Sequence, residues 1–129
     1  KKNLLVLLSG YRRQYLMKEL EKNEIDFKYI EKPSIKVLNE LYNILDLYIV
    51  ASRVEGGPQS IMECGLIKVP IISTDVGVAS EILDSKSIIK EDILEAVPNI
   101  NLAHENSLKY QIPSGLVKFN TMFKRINEN

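Results

Sequence analysis

Residues 47–63, LYIVASRVEGGPQSIME, constrain this chain more than any other stretch. A short apolar run (Leu47, Tyr48, Ile49, Val50, Ala51) stops at Ser52-Arg53, a turn Glu55-Gly56-Gly57-Pro58 follows, and then a helical pattern sets Ile61, Met62 and Leu66 apolar. Strand, glycine turn and helix in that order place the turn at the carboxyl end of a strand and the amino end of a helix. Open α/β sheets bind their ligands at such a point. Unpaired backbone N–H groups and the helix dipole favour negative charge there, so a phosphate fits. Glu55 and Glu63 frame the turn with seven residues between them.

The flanking text repeats the alternation. Leu4 to Leu8 is a continuous apolar run closed by Ser9-Gly10, the pattern of a buried parallel strand. Tyr11 to Asn23 reads as an amphipathic helix with Tyr15, Leu16 and Leu20 inward, and Ile25 to Ile30 alternates as a strand nearer the sheet edge. Pro33-Ser34 opens the next helix, Ser34 as N-cap and Ile35, Leu38, Leu41 and Leu45 as its buried stripe. Strands follow at Val69–Thr74 and Ser87–Ile89, with a short helix at Ser80–Leu83 between them. The remainder, residues 91–129, reads as helical: Glu91–Val97, Ile100–Tyr110 and Ser114–Asn127, the last with Leu116, Phe119, Phe123 and Ile126 on one side. Strands alternating with helices at this spacing predict one α/β domain built on a parallel sheet of about five strands, with helices on both faces.

Composition removes several function classes. With 17 basic and 17 acidic residues the formal charge is zero, which gives no electrostatic footprint for nucleic acid. Cys64 is the one cysteine, so an internal disulfide is excluded and a reducing, cytoplasmic setting is expected. No apolar run approaches the roughly 20 residues of a membrane helix. Lys1-Lys2-Asn3 leads straight into the first strand-like run with neither a signal peptide nor an initiator methionine, and the chain is expected to be cut from something longer.

The spacing of the two acids has a chemical use. With Pro58 at the first helical position, Glu63 stands roughly 7–9 Å along the axis, and helical side chains lean toward the amino end. Glu63 then reaches back toward a pocket that Glu55 enters from the strand side, while Gly56 and Gly57 allow close backbone approach and positive φ. Such a pocket offers amides to a diphosphate and carboxylates to sugar hydroxyls. Ordinary turn and helix acids satisfy the same spacing. His104, on the polar stretch Ala103–Asn106, reads as a surface residue, and Cys64 as a small apolar residue of the helix–sheet interface.

What separates the two readings is the longer text. Leu41 to Leu83 resembles the donor-binding lobe of the retaining GT-B glycosyltransferases of the group 1, glycogen-synthase-like type. The matching residues are Leu41-Tyr42, Asp46, Ser52-Arg53, Glu55-Gly56, Glu63, Pro70-Ile71-Ile72, Thr74-Asp75-Val76-Gly77 and Glu81-Ile82. Leu4 to Leu16 and Glu105 to Ile126 are similar to the family's opening strand–turn–helix and its closing helices. The resemblance implies a Rossmann-like lobe, with strand order 2-1-3-4-5 if Leu4–Leu8 takes the central place. It implies transfer of a sugar from a nucleotide diphosphate donor with retained configuration, no metal and no other cofactor. Glu55, the first acid of the motif, then lies beside the transferred sugar as the catalytic residue, and Glu63 holds the ribose hydroxyls. Backbone amides of Gly56, Gly57, Gln59 and Ser60 contact sugar and diphosphate; Pro58 has none to offer.

Three departures stand out. The family's phosphate-clamping Arg and Lys lie in a glycine-containing loop upstream of the first matched strand, a stretch these residues do not include; Gly10, Arg12 and Arg13 are the candidate substitutes. Lys68 replaces the usual glycine two residues before Pro70 and is strained if its φ is positive. Val78 replaces the second glycine of the following turn. The implied partners are a nucleotide sugar and an N-terminal acceptor lobe or separate chain, through which peripheral membrane association would arise. The chain alone is expected to be inactive. The alternative is a degenerate, non-catalytic lobe that stabilises a partner. A phosphoacceptor receiver domain shares the five-strand outline but needs acids where Ser9-Gly10 and Ser52-Arg53 stand.

Overall fold

The computed structural model describes residues 4–128; the expectation drawn from Lys1-Lys2-Asn3 falls outside them. The chain is α/β, and every strand pairing among the described residues is parallel. It divides into two compact units after Leu41.

In the first unit, strand β1 (Leu5–Ser9) pairs with β2 (Asp26–Ile30) from Leu5 opposite Asp26 to Ser9 opposite Ile30, and helix α1 (Gln14–Lys22) connects them. Phe27 and Tyr29 are half-buried while Asp26, Lys28 and Ile30 are exposed, as the alternation predicts. Helix α1 starts later than its apolar pattern suggests. Gly10 (φ +86°) and Arg12 (φ +60°) are left-handed, a conformation that cannot continue an α-helix. The late start also turns the inward face. Arg13, Met17 and Leu20 are half-buried, spaced as one helical stripe, whereas Tyr15 and Leu16 are exposed.

Helix α2 (Ile35–Asn43) is capped as expected: the Ser34 hydroxyl accepts from the Val37 N–H at 3.3 Å. Ile35 does not join its buried stripe. It is 89% exposed as the first helical residue, and the inward face is made by Leu38, Leu41 and Tyr42.

The second unit holds β3 (Tyr48–Val50), β4 (Ile71–Thr74) and β5 (Ile88–Ile89), in that order across the sheet. Helix α3 (Gln59–Leu66) joins β3 to β4, and α4 (Ala79–Ile82) follows β4. Strand β4 is central and carries Ile71, Ile72 and Ser73 almost wholly buried, which is why its text is nearly continuous in apolar residues. Ile61, Cys64, Val69 and Ile82 complete the core. Each fully buried aliphatic side chain contributes about 1.5–3 kcal/mol.

The single five-stranded sheet is therefore corrected to a two-stranded and a three-stranded one. Residue patterns show which segments are extended and which face is buried, but not which strand lies beside which. Strand β3 is only three residues long, and β4 is its partner.

A second correction concerns residues 91–97, which form a 3-10 turn at Ile93–Glu95 rather than a helix. Asp92 caps that turn through the Leu94 N–H, and Val97 is bonded to β5's approach by its own N–H to the Lys86 carbonyl and by its carbonyl to the Ser87 hydroxyl. Pro98 follows, and a residue before proline is driven out of the α region. Helices α5 (Ile100–Leu108) and α6 (Val117–Asn127) stand as expected, but no residue of α6 is buried, so its apolar stripe is an exposed face.

Asp84 ties this region together. Its carboxylate accepts from the Lys86 N–H at 2.8 Å and from Asn99 Nδ2 at 3.1 Å, and Asn99 in turn caps α5 through the Leu102 N–H. These bonds, the Lys86 N–H foremost, hold the Asp84 carboxyl below its ordinary pKa. A depressed folded pKa means that the contribution is complete above about pH 4, the unfolded value, and is lost as pH falls through the folded value. Asp84→Asn is expected to be less stable than wild type at neutral pH, with the gap closing on acidification; urea midpoints measured across that range give the comparison.

Candidate functional site

The chain leaves β3 at Val50 and turns through Ser52 to Pro58 before α3 begins at Gln59. Pro58 is the N-cap (φ −62°, ψ 113°) rather than the first helical residue, and no side chain caps the helix. The Ile61 N–H closes onto the Pro58 carbonyl at 3.1 Å. The N–H groups of Gln59 and Ser60 therefore open the helix beside the glycine turn, at the positive end of the helix dipole.

The glycines behave differently from expectation. Neither Gly56 nor Gly57 has positive φ; the left-handed glycine of the second unit is Gly77 (φ +53°), in the loop after β4. A Cβ on Gly56 would meet no atom within 4 Å, and one on Gly57 only the Val78 side chain at 3.9 Å. A Cβ on Gly77 would stand 2.8 Å from the Gly56 carbonyl oxygen and from Gly57 N and Cα. Thus Gly77 lets the two loops touch backbone to backbone, while Gly56 and Gly57 keep the outer face of the turn bare. A sequence shows three glycines; only the packing distinguishes conformational need from open space.

Each framing acid has a partner. The Ser52 hydroxyl donates to Glu55 Oε1. Ser52 is itself fixed from the sheet, because its carbonyl accepts from Thr74 Oγ1 at 2.6 Å. The end of β4 thus positions the loop that presents the exposed Glu55. Glu63 is half-buried and accepts from the Tyr42 hydroxyl at 2.8 Å through Oε2. Burial first, and then the bond to Glu63, raise the Tyr42 pKa far above the ordinary phenol value. The hydroxyl is therefore a fixed donor at any physiological pH.

Glu55, Gly56, Gly57, Gln59, Ser60 and Glu63 all lie on this one strand–turn–helix of the second unit. Gly10, Arg12 and Arg13 belong to the first. There, Arg13 Nε donates to the Ser9 carbonyl at 2.8 Å and the Tyr29 hydroxyl donates to the Gly10 carbonyl at 3.1 Å. Both bonds satisfy carbonyls at the end of β1, so Arg13 has structural work in this turn.

Cys64, beside Glu63, is fully buried, and burial pushes its thiol up to about 12; it packs and does not attack. His104 is not a surface residue. It is half-buried with Nδ1 3.1 Å from the Gly65 carbonyl near the end of α3, a carbonyl that also accepts from the Lys68 N–H at 3.3 Å. Lys68 does take the positive φ (+61°) that its place after α3 demands. No group of three or more His, Cys, Asp or Glu side chains among the described residues is placed to hold a metal ion.

Tyr42 and Thr74 are the residues whose roles the sequence alone did not reveal. Both stand inside the matched motifs, but Tyr42 is not on the stripe Ile35, Leu38, Leu41 and Leu45 read for α2; only its burial in the fold shows that its hydroxyl needs a partner. No curated protein matches the chain. Residues 1–110 match the family model for glycosyl transferases group 1. With most of its length matched and its strand–turn–helix carrying both motif acids, the chain belongs to the group 1 glycosyltransferase family.

Proposed function

We propose that this chain is the donor-binding lobe of a retaining glycosyltransferase, which transfers a sugar from a nucleotide diphosphate sugar to an acceptor held by a second lobe or chain. The observation that carries this is the bare outer face of Gly56 and Gly57 at the uncapped start of α3, on a stretch of chain that Glu55 and Glu63 bracket in sequence. The N–H groups of Gly56, Gly57, Gln59 and Ser60 donate to the diphosphate and the sugar. Glu55, steadied by Ser52, accepts from hydroxyls of the transferred sugar, and Glu63 accepts from the ribose. No metal takes part; amides and basic side chains carry the leaving charge.

A second reading, a non-catalytic lobe that stabilises a separate acceptor chain, draws on Arg13. Its Nε bond to Ser9 turns that cation to the upkeep of its own turn.

Under the first reading, UDP, GDP or ADP raises the melting temperature of the protein, by an amount equivalent to about 2.7 kcal/mol at a hundredfold excess over Kd. Glu63→Ala removes most of that rise. No response to any of the three nucleotides, together with copurification of a second chain, selects the second reading.

A further inference from the structure

We infer that Tyr42 is a positioning residue for the donor, holding the Glu63 carboxylate so that its remaining lone pairs face a pair of neighbouring ribose hydroxyls. This rests on the donor reading above and adds a residue that touches no ligand itself.

A carboxylate offers about four lone-pair directions on two oxygens. One of those on Glu63 Oε2 is taken by the Tyr42 hydroxyl at 2.8 Å. That bond fixes the rotation of the carboxyl group about its terminal torsion, which is otherwise broad. Oε1 and the second lone pair of Oε2 are then aimed by the protein rather than by water.

Tyr42 is well suited to be the fixed partner. It is 7% exposed, so its ring has little room to move. It meets the Tyr48 ring edge to face, with centroids 5.5 Å apart and planes at 67°. It comes from α2, and Tyr48 from β3, the strand that feeds the turn. Glu63 is half-buried on α3. An acceptor aimed in advance does not need to be ordered when the ligand arrives, which is where affinity is otherwise lost.

The test is titration calorimetry on the full chain with UDP, GDP and ADP and with their 2′,3′-dideoxy counterparts. Tyr42→Phe keeps the ring and its contact with Tyr48 and removes only the hydroxyl. It is expected to weaken the ribonucleotide about fivefold to tenfold, the scale of one ordinary hydrogen bond. The dideoxy nucleotide should change by less than about twofold, since it has no hydroxyl for Glu63 to accept from. Glu63→Ala should abolish the preference for ribose, and the double variant should be no weaker than Glu63→Ala alone, because Tyr42 acts through Glu63.

Equal weakening of both nucleotide forms by Tyr42→Phe would mean a general structural effect and would overturn the inference. So would a double variant that loses both factors independently. If Glu63→Ala erases the ribose preference while Tyr42→Phe leaves it intact, the donor reading stands and the positioning role falls. If the wild-type chain binds none of these nucleotides, the donor reading falls and takes this inference with it.

Discussion

Gly65→Ala is expected to destabilise the second unit by about 1–3 kcal/mol, against the usual direction of that substitution. Within a helix, alanine normally exceeds glycine by roughly 0.5–1 kcal/mol. At Gly65 the added methyl would stand 2.1 Å from Ser107 Oγ, 2.9 Å from the Ala103 carbonyl oxygen and 3.1 Å from Ser107 Cβ. Gly65 lies on α3, Ala103 and Ser107 on α5, and all three are buried. The two helices meet there with little more than the Ser107 side chain between them. One of the blocking atoms is backbone, so no rotamer change relieves the contact; α5 must move as a body. That movement also stretches the His104 bond to the Gly65 carbonyl, now 3.1 Å. Ser107 shows that the constraint is one of space. Its hydroxyl is fully buried without a hydrogen-bond partner, so Ser107→Ala, which removes that unpaired group, should be near neutral or slightly stabilising. Adding Ser107→Gly to Gly65→Ala should return part of the loss. Urea midpoints with an unchanged slope measure each variant. A Gly65→Ala protein as stable as wild type would refute the close packing.

Such a contact illustrates what the sequence could and could not convey. Periodicity located all five strands of the described residues, because period-two and continuous apolar runs follow directly from which face of a strand is buried. It could not assign β3 to β4 and β1 to β2, because pairing depends on register and on strand length, and β3 has only three residues. The helix expected over 91–97 had a plausible local pattern, but its Asp92 cap, the bonds of Lys86 and Ser87 to Val97 and the following Pro98 outweigh it. At the candidate site, the motif order brought both acids and the turn into view, since these residues are contiguous in the chain. The partners of those acids were not visible. Tyr42 is 21 residues from Glu63, and Thr74 is 22 from Ser52. Hydrogen bonds of that separation are set by the sheet and leave no local spacing to read.

The sharpest separation of fold from function comes from two glycines that a sequence treats alike. Gly77→Ala should cost about 2–4 kcal/mol, since two independent penalties meet there. A left-handed φ of +53° costs an alanine roughly 1–2 kcal/mol. The methyl would also stand 2.8 Å from the backbone of Gly56 and Gly57, and backbone atoms in a loop held by Thr74 and Ser52 cannot yield cheaply. The resulting fall in melting temperature is about 4–8 °C for each kcal/mol in a unit of this size. Gly56→Ala meets neither penalty: its φ is not positive and nothing lies within 4 Å of the new methyl. Its stability should stay within about 0.5 kcal/mol of wild type. The methyl would nevertheless project over the face proposed above to receive the diphosphate or the sugar. Gly56→Ala should therefore keep the fold and lose most of the nucleotide response. Gly77→Ala should lose stability first, and recover the response only where the loops still close. If Gly56→Ala binds UDP, GDP or ADP as wild type does, the cradle is not on this face of the turn, and the bare surface beside Glu55 and Glu63 has another purpose. If Gly77→Ala is as stable as wild type, the two loops do not meet through their backbones, and the support for Glu55 must come through Ser52 alone.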